Sequence, residues 1–184
     1  MADAWCDLNM LADIVSGTDR PLVIEPMRRK HLTHVEAIEQ TSYVRGWSHR
    51  LFLSELDQVR EGTRWYGVSR RGRRVIGYGG LLFTSDEAHV TNIAVALDHR
   101  RRGVGAALMH RLAHVAIDHG CEAWTLEVRA TSTGAQHLYR TFGFVPAGVR
   151  QHYYENAVDA IVMWCHGIQT LEYADLLAAI DVSE

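Results

Sequence analysis

The chain has 184 residues, of which 47% are hydrophobic, and its formal net charge is −3 at pH 7. This length accommodates one domain with a sizeable core, and the small negative charge excludes a general attraction to nucleic acid. The sequence contains neither a run of about 18 apolar residues nor a basic segment before an apolar one, so we expect a cytoplasmic protein without membrane span or signal peptide.

Hydrophobic periodicity predicts alternating helices and strands after an N-terminal extension at residues 1–20, which carries a short helical pattern. In chain order we predict a strand at 22–24 closed by Pro26, helices at 27–40 and 48–60, strands at 65–69, 75–83 and 90–97, a helix at 103–119, a strand at 123–128, a helix at 133–142, a strand pair at 144–149 and 157–164, and a last helix after Gly167. This alternation predicts a mixed α/β sheet covered by helices on both faces.

Single residues mark several boundaries of these elements. Ser48 is predicted to cap the second helix, and Ser132 or Thr133 the helix at 133–142. Gly72 supplies a turn between two antiparallel strands, and the glycines within 77–80 indicate a bulge or a close approach of the backbone.

The junction between the strand at 90–97 and the following helix is rich in Arg and Gly. The run R-R-R-G-V-G at 100–105 places Gly103 and Gly105 where the helix begins. The first N–H groups of a helix have no intrahelical partner and lie at its positive end, so this turn predicts a phosphate site. It matches neither a Walker loop nor a Rossmann fingerprint. The helix is also a crossover that makes its two flanking strands parallel.

Glu127 is a carboxylate in the middle of a strand whose other face carries Trp124, Leu126 and Val128. A buried charge costs several kcal/mol unless it is paired or faces a wet cleft. Two interpretations follow from the residues alone: an ion pair with Arg129 or another arginine, or a functional carboxylate.

Metal and disulfide chemistry are not indicated. The three cysteines lack C-x-x-C spacing, and we interpret them as reduced thiols. His110 and His114 share a helix face, but the intervening sequence lacks the Glu of H-E-x-x-H, so a solvated face is expected.

Six motifs resemble those of the GNAT acyltransferases, and in particular the bacterial ribosomal-protein alanine N-acetyltransferases of the RimI type. They are N-I-A-V at 92–95, R-x-x-G-x-G at 100–105, L-E-V-R-A at 126–130, L-Y-x-x-x-G-F at 138–144, Y-Y at 153–154 and D-A-I-V-M at 159–163. The resemblance implies the GNAT fold at 21–168, a central mixed, mostly antiparallel sheet with one parallel strand pair and helices on both faces. Residues 169–184 are then a C-terminal helical tail.

The resemblance also implies roles for individual residues. Glu127 would be the general base and Tyr139 the acid that protonates the departing CoA thiolate. Acetyl-CoA would be the co-substrate, without a metal, bound by Ile93, Ala94, Val95, Arg100, Arg101, Arg102, Gly103, Val104, Gly105, Ala106 and Ser132. The acceptor would contact Trp47, Tyr153, Tyr154 and Asp159.

The implied acceptor is the N-terminal amine of a protein with Ala or Ser first, attacked directly in a ternary complex by a monomer or weak homodimer. Ser132 stands where the family often has Asn, and the loop at 155–158 is short. Three alternatives stay open: a small-amine acetyltransferase acting on an antibiotic or polyamine, a lysine acetyltransferase, and a non-catalytic acyl-CoA-binding module.

Overall fold

The computed structural model describes residues 20–182, so the helix pattern predicted within the N-terminal extension lies outside the described residues. The described strands are β1 (Leu22–Pro26), β2 (Arg64–Arg71), β3 (Arg74–Phe83), β4 (Glu87–Val95), β5 (Ala123–Arg129), β6 (Val145–Tyr154) and β7 (Val158–His166). The described α-helices are α1 (Leu32–Ser42), α2 (His49–Arg60), α3 (Val104–Asp118), α4 (Thr133–Thr141) and α5 (Leu171–Ala179).

The strands form one sheet in the order β1-β2-β3-β4-β5-β7-β6. Every neighbouring pair is antiparallel except β4 and β5, which are parallel because α3 carries the chain back across the sheet. The predicted mixed sheet, its parallel pair and the strand pair at its end are therefore confirmed.

Helices pack on both faces of the sheet, as predicted. On one face, α1 and α2 bury Val35 and Phe52 against β2, β3 and β4. On the other face, α3, α4 and α5 enclose a larger cluster around Trp124, which is fully buried. Tyr173 and Leu177 of α5 belong to that cluster, so the last helix shares the main core.

Several predicted boundary residues act as expected. The Ser48 hydroxyl accepts a hydrogen bond from the Leu51 N–H at 3.3 Å and caps α2. Gly72 turns the β2–β3 hairpin with φ +58°, a value that glycine adopts without strain. A Cβ at Gly80 would lie 2.0 Å from the Tyr66 ring, which is the close approach that the glycines at 77–80 indicate.

The prediction that a side chain caps α4 is wrong for Ser132. This residue is at the N-cap position, but its ψ of 65° departs from the extended backbone of a capping residue, and its hydroxyl makes no capping bond. The preceding turn is held instead by Gln136, whose amide donates to the carbonyls of Arg129 (3.2 Å) and Ala130 (2.9 Å).

Strand β6 is longer than predicted, and its register against β7 shifts twice, between Pro146 and Gly148 and at a bulge between Arg150 and Tyr154. Arg150 pairs with Ala160 and Tyr154 with Val158, so three residues of β6 lie opposite Asp159 alone. His152 has φ +54° at this bulge, and its N–H donates to the Asp159 carboxylate at 2.8 Å. The bulge interrupts the period of two, which is why alternation predicted a strand ending at 149.

No helix within residues 20–182 is long and apolar enough to cross a membrane.

Candidate active site

Strands β4 and β5 separate in the middle of the sheet. Their parallel pairing begins at Glu87 and Ala123 and ends at Val90 and Leu126. Beyond this point β4 pairs with β3, and β5 pairs with β7. The separation leaves a backbone edge along residues 91–95, opposite residues 127–129 of β5. An extended ligand arm can add to such an edge as a further strand does.

Two carbonyl groups of this edge accept hydrogen bonds from side chains. The Tyr43 hydroxyl donates to the Ile93 carbonyl at 2.8 Å, and the Arg100 Nε donates to the Val95 carbonyl at 3.0 Å. A second nitrogen of Arg100 donates to the Ser42 hydroxyl at 3.1 Å. Arg100 thus fastens the end of β4 to α1, so its side chain shapes the site from within the protein.

The N-terminus of α3 has the features of an anion site. Its N-cap is Gly103 with φ +73°, no side chain caps it, and its first turn carries no acidic residue. The first intrahelical bond runs from the Ala107 N–H to the Gly103 carbonyl at 3.0 Å. The N–H groups of Gly105 and Ala106 precede it, and with the helix dipole they suit a phosphate group.

The remaining predicted co-substrate residues surround this helix start. Arg101 has φ +61°, and a Cβ on Gly134 would lie 3.6 Å from its guanidinium, so Arg101 reaches the first turn of α4. Arg102 is exposed, whereas Val104 is buried against Ile76. The other members of the predicted set divide between the two sheet faces: Ile93 and Val95 face α3, and Ala94 faces α1.

Gly105 lies where α3, α4 and β4 converge. A Cβ at this position would be 3.3 Å from Leu138 Cδ2 and 4.0 Å from Val95 Cγ2. The glycine therefore keeps the space beside the helix N-terminus open.

Glu127 is an ion-pair partner of two basic side chains, and neither is Arg129. Its Oε2 lies 3.1 Å from His89 Nε2, and its Oε1 lies 3.0 Å from the Arg150 guanidinium. Arg129 instead makes a two-pronged pair with Glu155 at 2.8 and 2.6 Å. The predicted alternative of an ion pair with an arginine is thus confirmed for Arg150 and wrong for Arg129, because Arg129 reaches the β6–β7 turn.

The hydrogen bond from His89 is the main cause that lowers the pKa of Glu127 below its usual range, and burial opposes it. Glu127 therefore remains a carboxylate at neutral pH. It lies just past the last paired residue of β5, at the point where β4 and β5 separate.

Tyr139 lies on α4 at the border of the larger core, with 7% of its surface exposed. Burial and the nearby Tyr154 raise its pKa, so its hydroxyl keeps its proton throughout the neutral range. Burial and then Tyr139 also raise the pKa of Tyr43. Burial also raises the pKa of Tyr154, to about 12.

The predicted acceptor residues lie on two segments of the chain, Trp47 just before α2 and the other three on the β6–β7 hairpin. Trp47 packs on Phe52 with ring centroids 5.4 Å apart, and its backbone N–H donates to a Glu39 carboxylate oxygen at 2.7 Å. Tyr153 and Tyr154 lie on the β6 side and meet edge to face at 5.1 Å.

Asp159 has a structural role that sequence reasoning missed, because its carboxylate accepts a hydrogen bond from the His152 N–H and supports the β6 bulge. Tyr154 donates its hydroxyl to the Glu127 carbonyl at 3.2 Å and lies under the Arg129 guanidinium at 4.2 Å. The hairpin that carries the tyrosine pair is thereby fixed to the strand that carries Glu127.

Sequence reasoning also missed His89, Arg150 and Tyr43. His89 is two residues before Thr91 on β4, and the parallel register with β5 was the signal that could have placed it next to Glu127. Arg150 required the register of β6 against β7, which shifts between Pro146 and Gly148, and Tyr43 required the path of the loop after α1. Within residues 20–182, no group of three or more His, Cys, Asp or Glu side chains is arranged to hold a metal ion.

Comparison with known proteins identifies the family. The family model described as Acetyltransferase (GNAT) family matches residues 32–144, more than half of the chain. A protein of Bacillus subtilis (strain 168) is 32% identical over 142 residues, which cover 77% of this chain and 93% of the relative. The ribosomal protein bS18-alanine N-acetyltransferase of Escherichia coli (strain K12) is 33% identical over 131 residues, covering 68% and 84%.

Solved structures show the same architecture. The ribosomal-protein-S18-alanine N-acetyltransferase from Escherichia coli superposes with a TM-score of 0.72 at 28% identity, over 80% of this chain and 94% of that one. Ard1 from Thermoplasma volcanium gives a TM-score of 0.73 at 27% identity, over 79% and 97%. The open β4 edge and the uncapped helix start fit the arm and the pyrophosphate of a CoA thioester. The chain belongs to the GNAT acetyltransferase family and is an acetyl-CoA-dependent N-acetyltransferase.

Proposed function

We propose that the protein acetylates the N-terminal amine of another protein whose first residue is small, Ala or Ser, as in a ribosomal protein. The observation that carries this proposal is the place of Glu127, an ionised carboxylate where β4 and β5 separate, whose backbone carbonyl accepts a hydrogen bond from Tyr154 of the tyrosine pair. The similarity to bS18-alanine N-acetyltransferases supports it.

The lowered pKa of Glu127 favours an N-terminal amine over lysine. An N-terminal ammonium has a pKa of about 7.7–8.0 and lysine about 10.4, so deprotonating lysine costs roughly 3.4 kcal/mol more. A carboxylate whose pKa is held low by His89 and Arg150 is a weak base. Such a base is sufficient only for the more acidic ammonium.

The proposed roles follow from these positions. Acetyl-CoA supplies the acetyl thioester, with its pyrophosphate on the N–H groups of Gly105 and Ala106. Glu127 takes a proton from the ammonium through water, and the free amine attacks the thioester carbonyl carbon directly. As the C–N bond forms and the C–S bond breaks, Tyr139 gives its hydroxyl proton to the leaving sulfur. The attacking nitrogen then loses its second proton to water, and water returns a proton to the Tyr139 oxygen. The route needs no covalent enzyme intermediate.

In this proposal Trp47 and the tyrosine pair form the walls of the acceptor groove, and these aromatic walls favour a small first residue. Trp47 is held by its ring contacts and by Glu39, and Tyr154 is held by Glu127 and Arg129. Rigid aromatic walls give contact area around extended backbone and leave little room for a long first side chain.

A peptide panel tests the proposal. Peptides that differ only at residue one should react fastest with Ala or Ser, and the same peptides with a blocked N-terminus and one internal Lys should not react. Equal rates for the blocked peptides would make the enzyme a lysine acetyltransferase. Reaction with spermidine or an aminoglycoside, but with no peptide, would make it a small-amine acetyltransferase.

A further inference from the structure

His89 and Glu127 lie on the same face of the sheet because of the parallel register between β4 and β5. His89 pairs with Thr125, and Glu127 is two residues further along β5 on the same face. The pairing ends one residue beyond His89, at Val90. His89 is therefore on the paired side of the boundary, and Glu127 is on the open side.

The Glu127 carboxylate is held from two directions. His89 Nε2 approaches Oε2 at 3.1 Å, and the Arg150 guanidinium approaches Oε1 at 3.0 Å. The side chain of His89 is 28% exposed and that of Arg150 is 56% exposed, whereas that of Glu127 is 11% exposed. The histidine contact is therefore less exposed to water than the arginine contact. A lower local dielectric constant strengthens an electrostatic interaction.

On its own strand, His89 has one charged neighbour on the same face of the sheet, Glu87, two residues before it. Its neighbour on β3 is Leu82, and its neighbours on β5 are Thr125 and Glu127. The Arg64–Glu55 pair, 2.9 Å apart, lies beyond Leu82, because Arg64 of β2 pairs with Leu82. Glu127 is the one ion-pair partner of His89 within residues 20–182.

We propose that His89 is a positioning residue for acetyl transfer: its Nε2–H donates to Glu127 Oε2 and holds the carboxylate ionised and directed into the cleft. This proposal rests on the base role of Glu127 proposed above. The proton that leaves the ammonium goes to Glu127, and His89 keeps its own proton during the step. His89 touches neither the amine nor the thioester.

Removing His89 should change the pKa of Glu127, because two opposite influences set this pKa. The hydrogen bond from His89 is the largest influence that lowers the pKa of this carboxyl, and burial acts in the opposite direction. Without His89 the Glu127 carboxyl is still buried, so its pKa rises. Its Oε2 also loses a hydrogen bond, so the carboxyl group is freer to rotate. A purely structural histidine would change stability and leave this titration unmoved.

The test compares His89→Ala with His89→Gln, whose amide nitrogen also donates from near the Nε2 position, and with His34→Ala, an exposed histidine of α1. The carboxyl signal of Glu127 is followed by ¹³C NMR in the enzyme without co-substrate, and is assigned with Glu127→Gln. In His89→Ala we expect its titration to move to higher pH than in the wild type. In His89→Gln it should move less, and in His34→Ala it should not move.

Kinetics provide the second readout. His89→Ala should lower kcat/KM for the peptide by about tenfold, since a displaced catalytic group can cost up to about 10²-fold. KM for acetyl-CoA should stay unchanged, and His89→Gln should restore most of the rate. An unmoved Glu127 titration together with a wild-type rate in His89→Ala, or a His89→Gln variant no better than His89→Ala, would overturn the proposal. Full activity of Glu127→Gln at pH 6.5 would instead refute the base role itself.

Discussion

At the scale of single residues, the sequence singled out Glu127 and Tyr139 as candidate catalytic residues but did not reveal the contacts that set their properties. The position of Glu127 in an alternating strand predicted that it needs a partner. Its partners, His89 and Arg150, come from β4 and β6. Both contacts depend on strand register and on a bulge, which hydrophobic periodicity does not encode.

Replacing Glu127 by Gln should slow the reaction most at low pH. The variant depends on amine that is already unprotonated, which for a pKa near 7.8 is about one part in 20 at pH 6.5. We expect kcat/KM to fall on the order of 20-fold at pH 6.5 and less than about twofold at pH 9. Steady-state rates across this range measure the effect, with Glu122→Gln as the exposed control. A loss that does not vary with pH would contradict a base role.

Replacing Tyr139 by Phe should lower kcat with little change in KM for acetyl-CoA, because protonation of the leaving sulfur belongs to the transition state. A decrease of roughly tenfold to a hundredfold is expected. Tyr173→Phe is the matched control, since its hydroxyl donates to the Phe142 carbonyl at 3.3 Å, away from the cleft. It should reduce stability and leave kcat unchanged. A similar loss of kcat in both variants would assign Tyr139 a structural role.

At the scale of elements, the glycines in the sequence mark where two elements approach closely. Gly103 and Gly105 predicted the uncapped start of α3, and the glycines at 77–80 predicted close packing in β3. The sequence did not reveal that Gly105 also adjoins Leu138 of α4. That contact depends on how two helices dock, whereas the turn itself is local.

Gly105→Glu should abolish acetyl-CoA binding measured by calorimetry, because it brings a carboxylate to the phosphate site. Gly105→Ala separates charge from size, since its Cβ would meet only the flexible end of Leu138 at 3.3 Å. We expect Ala to weaken binding modestly and Ala174→Glu, an exposed position of α5, to leave it unchanged. If a folded Gly105→Glu variant bound acetyl-CoA with wild-type affinity, the pyrophosphate would not bind at the start of this helix.

Gly80→Ala should destabilise the fold by about 2–3 kcal/mol or more in urea unfolding, since overpacking a core costs typically 1–3 kcal/mol. Its Cβ would lie 2.0 Å from the Tyr66 ring, whose hydroxyl is held by Glu55 at 2.8 Å and Thr91 at 3.0 Å. Gly148→Ala is the control because nothing lies within 4 Å of its Cβ position. Equal urea unfolding midpoints for the two variants would contradict the close approach between Gly80 and Tyr66.

At the scale of the whole molecule, the order of the elements and the parallel strand pair could be predicted from hydrophobic periodicity, which alternates between the helical period and the strand period of two. The resemblance of six motifs supplied the family, which the match over residues 32–144 confirms. The two-pronged pair between Arg129 and Glu155, which fixes the β6–β7 turn to β5, was not predictable. These residues are 26 positions apart, and the pairing of β5 with β7 brings them together.

The central claim is that the acetyl group goes to an N-terminal amine beside Glu127. One peptide that begins with Ala and contains one internal Lys tests it directly, because both amines compete in the same molecule. After reaction with acetyl-CoA, tandem mass spectrometry locates the acetyl group. We predict acetylation of the N-terminal amine alone in the wild type, and the same site at a reduced rate in Glu127→Gln at pH 6.5. An acetyl group on the lysine amine would contradict the account.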